Sequence, residues 1–318
     1  MTGWQTLGCL GAVAVGIIAG ILIPGAGDLA GQLVTPVLVL LLFSTFATIP
    51  LPGAARAFGR PRFALTVLGL NFLVVPLVVA GIHLAVPLPG PVVVPVLIVL
   101  LTPCIDYVIV FTGLAGGAAD RLLALTPVLM LAQILLLPVW LRVILGEDAT
   151  AALTPGPFLW ALVVFIIVPL LAAALLQVAA ARSAGAARVL TGATAAMTPL
   201  MLLTLAIVAA AEAAVVLPHL SDLGPAALSF IVFAVVMTGI GWLVGRTSLS
   251  GPGERRALIF TGVTRNSLVM LPLVRAVDPD GLGTAAVVTQ TLIELVTMVA
   301  LVWLVPRIVP RTAMSENR

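Results

Sequence analysis

The sequence predicts an all-α integral membrane protein, with ten transmembrane helices arranged as two inverted five-helix repeats whose fourth and ninth helices are broken and cross. Three observations carry that reading. Of the 318 residues 62% are hydrophobic and 8% charged, against about 25% charged in a soluble domain, so no polar surface could keep the chain dissolved. Apolar runs of about 20 residues, long enough to cross a bilayer as helices, recur along the whole sequence. The arginines, finally, gather on one side of those runs.

The runs cover residues 4–23, 30–49, 63–86, 92–115, 122–145, 157–180, 189–212, 225–245, 256–277 and 283–305. The first begins at Trp4 with no basic residue before it. That does not fit the basic start of a cleaved signal peptide, so it reads as a retained helix. Pro76, Pro127, Pro138, Pro169 and Pro199 fall inside runs, which membrane helices tolerate where neighbours satisfy the freed backbone groups.

Ten crossings put both termini and the even-numbered loops on one face. That face holds Arg56, Arg60, Arg62, Arg121, Arg182, Arg188, Arg246, Arg255, Arg256, Arg307, Arg311 and Arg318, and the other has only Arg142 and Arg275, near helix ends. The opposite face collects Asp28, Glu147, Asp148, Asp222, Asp278 and Asp280. This bias assigns both termini to the cytoplasmic side of the plasma membrane. The basic residues are all Arg and are spread over loops without interleaved aromatics, which excludes nucleic acid as a partner. Membrane lipid and a small-molecule substrate are the expected ones.

The polar stretch from Gly146 to Pro157 divides the chain into a first unit, 1–146, and a second, 156–306, followed by a polar tail, 307–318. Five crossings is an odd number, so the second unit enters the membrane in the opposite sense. Each unit contains an interruption, Thr102-Pro103-Cys104-Ile105-Asp106 in the first and Thr264-Arg265-Asn266-Ser267 in the second. Thr102 precedes Gln133 by 31 positions, and Thr264 precedes Glu294 by 30. Paired interruptions of this kind are the sequence signature of a carrier's binding site.

Intramembrane charge costs about 2.5 to 3.5 kcal/mol per residue on insertion scales and is by default functional. Candidate substrate contacts are therefore the residues of the breaks: Thr102, Pro103, Cys104, Asp106, Tyr107, Arg265, Asn266 and Ser267. Crossing of the two broken helices would bring Asp106 and Arg265 together, as a structural ion pair, as substrate contacts, or as both. Cys104, beside the helix-disrupting Pro103, is either a soft thiol ligand facing a cavity or a buried inert thiol. Cys9 lies in an uninterrupted run and reads as inert.

On the tenth helix Gln290, Glu294 and Thr297 share one face, and Thr126, Met130 and Gln133 have the same spacing on the fifth. Two polar faces behind two breaks suggest a wet pocket between the halves. Candidate ion-coupling residues are Glu294, Gln133, Gln290 and Asp106, with Glu294 placed to trade a proton. Glu212, at the outer end of the seventh helix, can reach water. The row Thr191, Thr194, Thr198 either lines the cavity or bonds to its own backbone.

Other classes are excluded by what the chain lacks. It has no Lys and hence no phosphate-binding Gly-Lys-Ser/Thr loop. Its two histidines, His83 and His219, lie near span ends, so neither a metal site nor a Ser/His catalytic set is expected, and no cofactor. A channel fits less well than a carrier, because two internal breaks suit alternating access.

At these residues the chain resembles the arsenite-exporter branch of the bile acid, arsenite and riboflavin transporter superfamily. Thr102-Pro103-Cys104-Ile105 through Phe111-Thr112 and Leu114 parallels that branch's fourth-helix Cys break, Phe260-Thr261 and Asn266 its ninth helix, and Leu292-Ile293-Glu294 the Leu-Ile-Glu motif of its tenth. The resemblance implies a core domain of helices 3–5 and 8–10 moving against a panel of helices 1–2 and 6–7. It also implies efflux of arsenite or antimonite, with Cys104 near the transported metalloid and Glu294 near the coupling ion, a proton. Leu268 stands where the exporters carry Glu, and Asp106 and Arg265 are not the exporters' usual residues. Val108-Ile109 replaces the Ser-Asn of the sodium-coupled bile-acid branch, which argues against sodium. A sodium- or proton-coupled organic anion symporter, with Arg265 meeting a carboxylate, is the alternative.

Overall fold

In the computed structural model the described residues are 4–48, 61–105, 107–146, 156, 160, 163–216, 222–276, 278 and 281–310. They form α1 (Trp4–Leu22), α2 (Ala26–Thr48), α3 (Pro61–Ala85), α4 (Gly90–Leu101), α5 (Tyr107–Leu114), α6 (Ala119–Leu145), α7 (Val168–Ala180), α8 (Ala184–Val216), α9 (Gly224–Ser248), α10 (Pro252–Val263), α11 (Ser267–Ala276) and α12 (Leu282–Ile308). Among these residues α2, α3, α8, α9 and α12 are long and apolar enough to cross a membrane, and the bent α6 makes six. Ten full crossings are therefore not shown: α4, α7 and α10 have only 12 or 13 residues, and α5 and α11 are shorter still.

Proline shapes several of these helices. The fifth run bends by 51° after Gln133, just where the ring of Pro138 opposes the carbonyl four residues back. Pro76 in α3 and Pro169 in α7 are each preceded by a π-helical turn, Leu70–Val74 and Val163–Ile167. The wider turn accommodates a residue that has no N–H to give.

Two groups of helices result. The first packs α8 along α1 and α2, with α7 against α2 and α8. In the second, α12 lies against α4, α9 and α11, α9 lies beside α10 and α3, and α6 supports α4 and α5. The groups meet mainly where α8 touches α12. Large apolar side chains point outward, among them Leu65 and Leu77 of α3, Leu135 of α6, Leu175 of α7 and Val235 of α9. A surface of this kind belongs in lipid, and the chain is a multi-pass membrane protein.

Backbone polar groups at the helix ends are bonded within the protein. Arg256, buried at the start of α10, donates Nη1 to the carbonyl of Ala115 at 2.8 Å, and Nε and Nη2 to that of Val309 at 3.0 and 2.8 Å. Beside it Arg121 pairs with Glu254, and Ala118 N–H donates to Gly253 O at 2.9 Å. Asp278 accepts from the N–H groups of Gly283 and Thr284, at 3.1 and 2.6 Å, and so satisfies two orphan donors of α12.

The seam between α1 and α8 is set by glycine. A Cβ on Gly16 would run into the Ala206 carbonyl, and one on Gly20 into that of Ala210, whereas one on Gly11 would meet nothing within 4 Å. Small residues four apart are how membrane helices bring their backbones together. Gly16→Val or Gly20→Val should therefore destabilise by about 1–3 kcal/mol, read as a lowered melting temperature of the detergent-solubilised protein, while Gly11→Val leaves it unchanged. Equal effects at all three positions would show that the seam is not close-packed.

Candidate functional site

The two interruptions face each other. Pro103 and Arg265 stand opposite as an isolated antiparallel bridge, flanked by Cys104 N–H donating to Thr264 O at 3.2 Å and Asn266 N–H donating to Thr102 O at 2.9 Å. In this register Pro103 occupies the pair that exchanges no hydrogen bonds, so its missing N–H costs nothing. The two breaks thus meet as short extended segments joined edge to edge.

Every backbone donor in the bridge is accounted for, as burial at this depth requires. Thr102 N–H turns back to Val99 O at 3.2 Å and Thr264 N–H to Phe260 O at 2.9 Å. Both threonine hydroxyls also donate to their own preceding turns, Thr102 to Ile98 O and Val99 O, Thr264 to Phe260 O. Arg265 N–H points away from Pro103 and donates to Glu294 Oε2 at 2.7 Å. The same carboxylate oxygen accepts from the Gln290 amide one turn earlier on α12. Thr291, beside it, donates to Ser267 Oγ at 2.9 Å at the start of α11.

The Arg265 side chain is 0% exposed and runs back along α10. Its Nη2 donates to Thr261 O at 2.6 Å, Gly262 O at 2.9 Å and Asn71 Oδ1 at 2.9 Å, and Nη1 reaches Leu100 O at 3.4 Å. The guanidinium carbon lies 5.3 Å from the ring centre of Phe233, within cation–π range. Asn71 is itself fixed by donating to Val67 O at 3.0 Å and to the Thr261 hydroxyl at 3.3 Å. Sequence reasoning missed Asn71. The available signal was a lone amide in the middle of the third apolar run, and the structure places it in the π-helical turn of α3, a feature common at functional sites.

Beside this network lies a small cleft lined by Leu100, Phe230, Phe233, Ala234, Val263, Gln290, Ile293, Glu294 and Thr297. Glu294 is 4% exposed. The expected shared face of Gln290, Glu294 and Thr297 does border open space. Cys104, 1% exposed, sits in the bridge rather than in the lining of this cleft. Thr126, Met130 and Gln133 of α6 are buried together, and neither amide atom of Gln133 has a protein hydrogen-bond partner. Asn266 Nδ2 and Gln290 Oε1 are likewise without one, which leaves valences that a polar solute or water can fill.

Asp106, and with it the expected pair with Arg265, lies outside the described residues, as does the side chain of Tyr107 at the start of α5. The side chains of Cys9 and Glu212 are likewise outside them. On α8 Thr191 donates to Ala187 O and Thr194 to Thr191 O, both at the exposed surface, so these two hydroxyls bond to their own helix. Among the described residues no cluster of His, Cys, Asp and Glu could hold a metal ion.

A bundle clothed in apolar side chains, with two interrupted helices joined at their breaks beside a cleft that Gln290, Glu294 and Thr297 border, has the construction of a membrane carrier. The chain belongs to the sodium bile acid symporter family, whose model matches residues 35–246, about two thirds of its length. Members of that family are transporters, not enzymes. The match spans the first break and ends within α9, before the second. No curated protein matches the chain.

The carboxylate of Glu294 is the fixed acceptor for the Arg265 N–H, so its shape matters more to the resting fold than its charge. Glu294→Ala should destabilise by about 1–3 kcal/mol by leaving a buried donor unmet, whereas Glu294→Gln should keep an acceptor there and a near-native melting temperature. Equal melting temperatures for the two variants would contradict this role.

Proposed function

We propose that the protein is a secondary active carrier that exports trivalent arsenic or antimony hydroxides in exchange for protons, by alternating access. One observation carries the reading: Cys104 and the Glu294 carboxylate are fastened to the same two-rung bridge, the thiol's residue through Thr264 O and the carboxylate through Arg265 N–H. A soft thiolate is the side chain that best meets a soft trivalent centre, and arsenite, largely undissociated at neutral pH, offers little charge to hold. A carboxyl tied to that bridge can exchange a proton in step with occupancy of the thiol. Thr102, Pro103, Asn266 and Ser267 would complete the substrate contacts, with Asp106 and Tyr107 at the start of α5, while Gln290, Gln133 and Asp106 assist coupling.

The same proposal takes the chain as ten crossings in two inverted units, 1–146 and 156–306, with the 307–318 tail and both termini in the cytoplasm and the protein in the plasma membrane. The grouping of α1, α2, α7 and α8 supports a panel, and that of α3–α6 with α9–α12 a core. The family description favours a second reading, a sodium- or proton-coupled organic anion symporter. Against it, the Arg265 guanidinium is engaged by four protein oxygens and an aromatic face. Uptake into everted vesicles, comparing arsenite with organic anions with and without sodium, separates the two.

Cys104→Ser should lower arsenite transport at least tenfold at equal expression, the loss of about 1.4 kcal/mol or more of differential binding, while Cys9→Ser transports normally. Transport by Cys104→Ser at the wild-type rate would remove the thiol from the mechanism.

Glu294→Gln should abolish pH-driven net export while leaving arsenite exchange across vesicles intact, because an amide of the same shape holds the bridge but cannot release a proton. Retention of full pH-driven export would move the coupling site elsewhere, with Asp106 next.

A further inference from the structure

The surroundings of the Arg265 guanidinium have the chemistry of a cation site. Three oxygens, from Thr261, Gly262 and Asn71, converge at 2.6–2.9 Å on the single nitrogen Nη2, which carries two hydrogens. With more acceptors than hydrogens, this is closer to a coordination shell around a charge than to a set of paired hydrogen bonds. The oxygens are also of a particular kind. Thr261 O and Gly262 O belong to the last turn of α10, and Leu100 O to the last turn of α4. These are the carbonyls that lose their helical partners because both helices stop at the bridge, and each helix end carries partial negative charge. In carriers, half-helix C-termini of this kind coordinate small cations. Here the face of Phe233 closes the remaining side.

We propose that Arg265 supplies a built-in cation to a site whose oxygens suit a free monovalent cation, so that the crossing is held together without any bound metal ion. Removing the side chain opens that site, and a small monovalent cation from solution takes its place. The inference concerns what holds the bridge and is independent of the transported substrate.

The test is thermal melting of the full-length protein, purified in detergent, in choline chloride and with millimolar sodium, potassium or guanidinium chloride. Arg265→Ala should melt about 5 °C or more below wild type in choline. At least one of the three small cations should then raise its melting temperature saturably, while wild type does not respond to any of them. In choline, Arg265→Lys should melt above Arg265→Met, which fills similar space without charge. Should Arg265→Ala not accumulate, the membrane yields of Arg265→Lys and Arg265→Met give the same comparison, with Lys the higher. The proposal is overturned if Arg265→Ala melts unchanged in all three salts, if wild type gains as much as the variant, or if Met serves as well as Lys. None of these readouts involves transport, so a failure of the arsenite reading would leave them untouched.

Discussion

A helix that stops inside a bilayer leaves carbonyls and amides that water cannot reach, and each unsatisfied group costs several kcal/mol. This chain stops two helices at one level and makes each the partner of the other. The reciprocal bonds of Cys104 to Thr264 and of Asn266 to Thr102 satisfy the donors. The freed carbonyls of α4 and α10 turn to Arg265, and the remaining amide turns to Glu294. Remove that exchange and α4, α5, α10 and α11 would have no reason to end where they do. The position of α12, which brings Glu294, and of α3, which brings Asn71, follows from the same requirement.

The bridge also explains why the polar residues here are so diverse. Only an amide could serve Arg265, Val67 and Thr261 at once, as Asn71 does. An acceptor with no hydrogen of its own suits Glu294, which receives two donors on one oxygen. Proline fits at position 103 because the register asks nothing of its nitrogen. A rigid knot of this kind sits beside a cleft bordered by α4, α9, α10 and α12.

Much of this was legible in the sequence, and the limits are instructive. The breaks announced themselves through proline and charge within apolar runs, and the i, i+4 spacing of Gln290 and Glu294 put them on one face. The backbone acceptors of Arg265 could not be read. Symmetry between the units pointed to Asp106, which lies outside the described residues, and nothing in the residue types announced that the guanidinium also folds back three and four residues along its own helix to Gly262 O and Thr261 O. Backbone acceptors leave no residue-type signature, so only the chain's path reveals them. Gly16 and Gly20 are a similar case, since a close approach is visible only once Ala206 and Ala210 are known to lie opposite. The number of full crossings is harder still, because broken and bent helices divide an apolar run into pieces too short to count on their own.

The Arg256 clamp bears on the order of assembly. Its guanidinium joins Ala115, at the end of α5, to Val309, which lies 53 positions beyond Arg256 itself. During synthesis α10 is therefore made and inserted before its buried cation has the second of these acceptors, and α11 and α12 must follow before that acceptor exists. Until then this fastening at the start of α10 is incomplete, with the guanidinium's contacts to the carbonyls of Ala115 and Gly116 in place but not that to Val309. A nascent chain that has reached α10 is in this sense held open at one end, and the arrival of the last helix closes it.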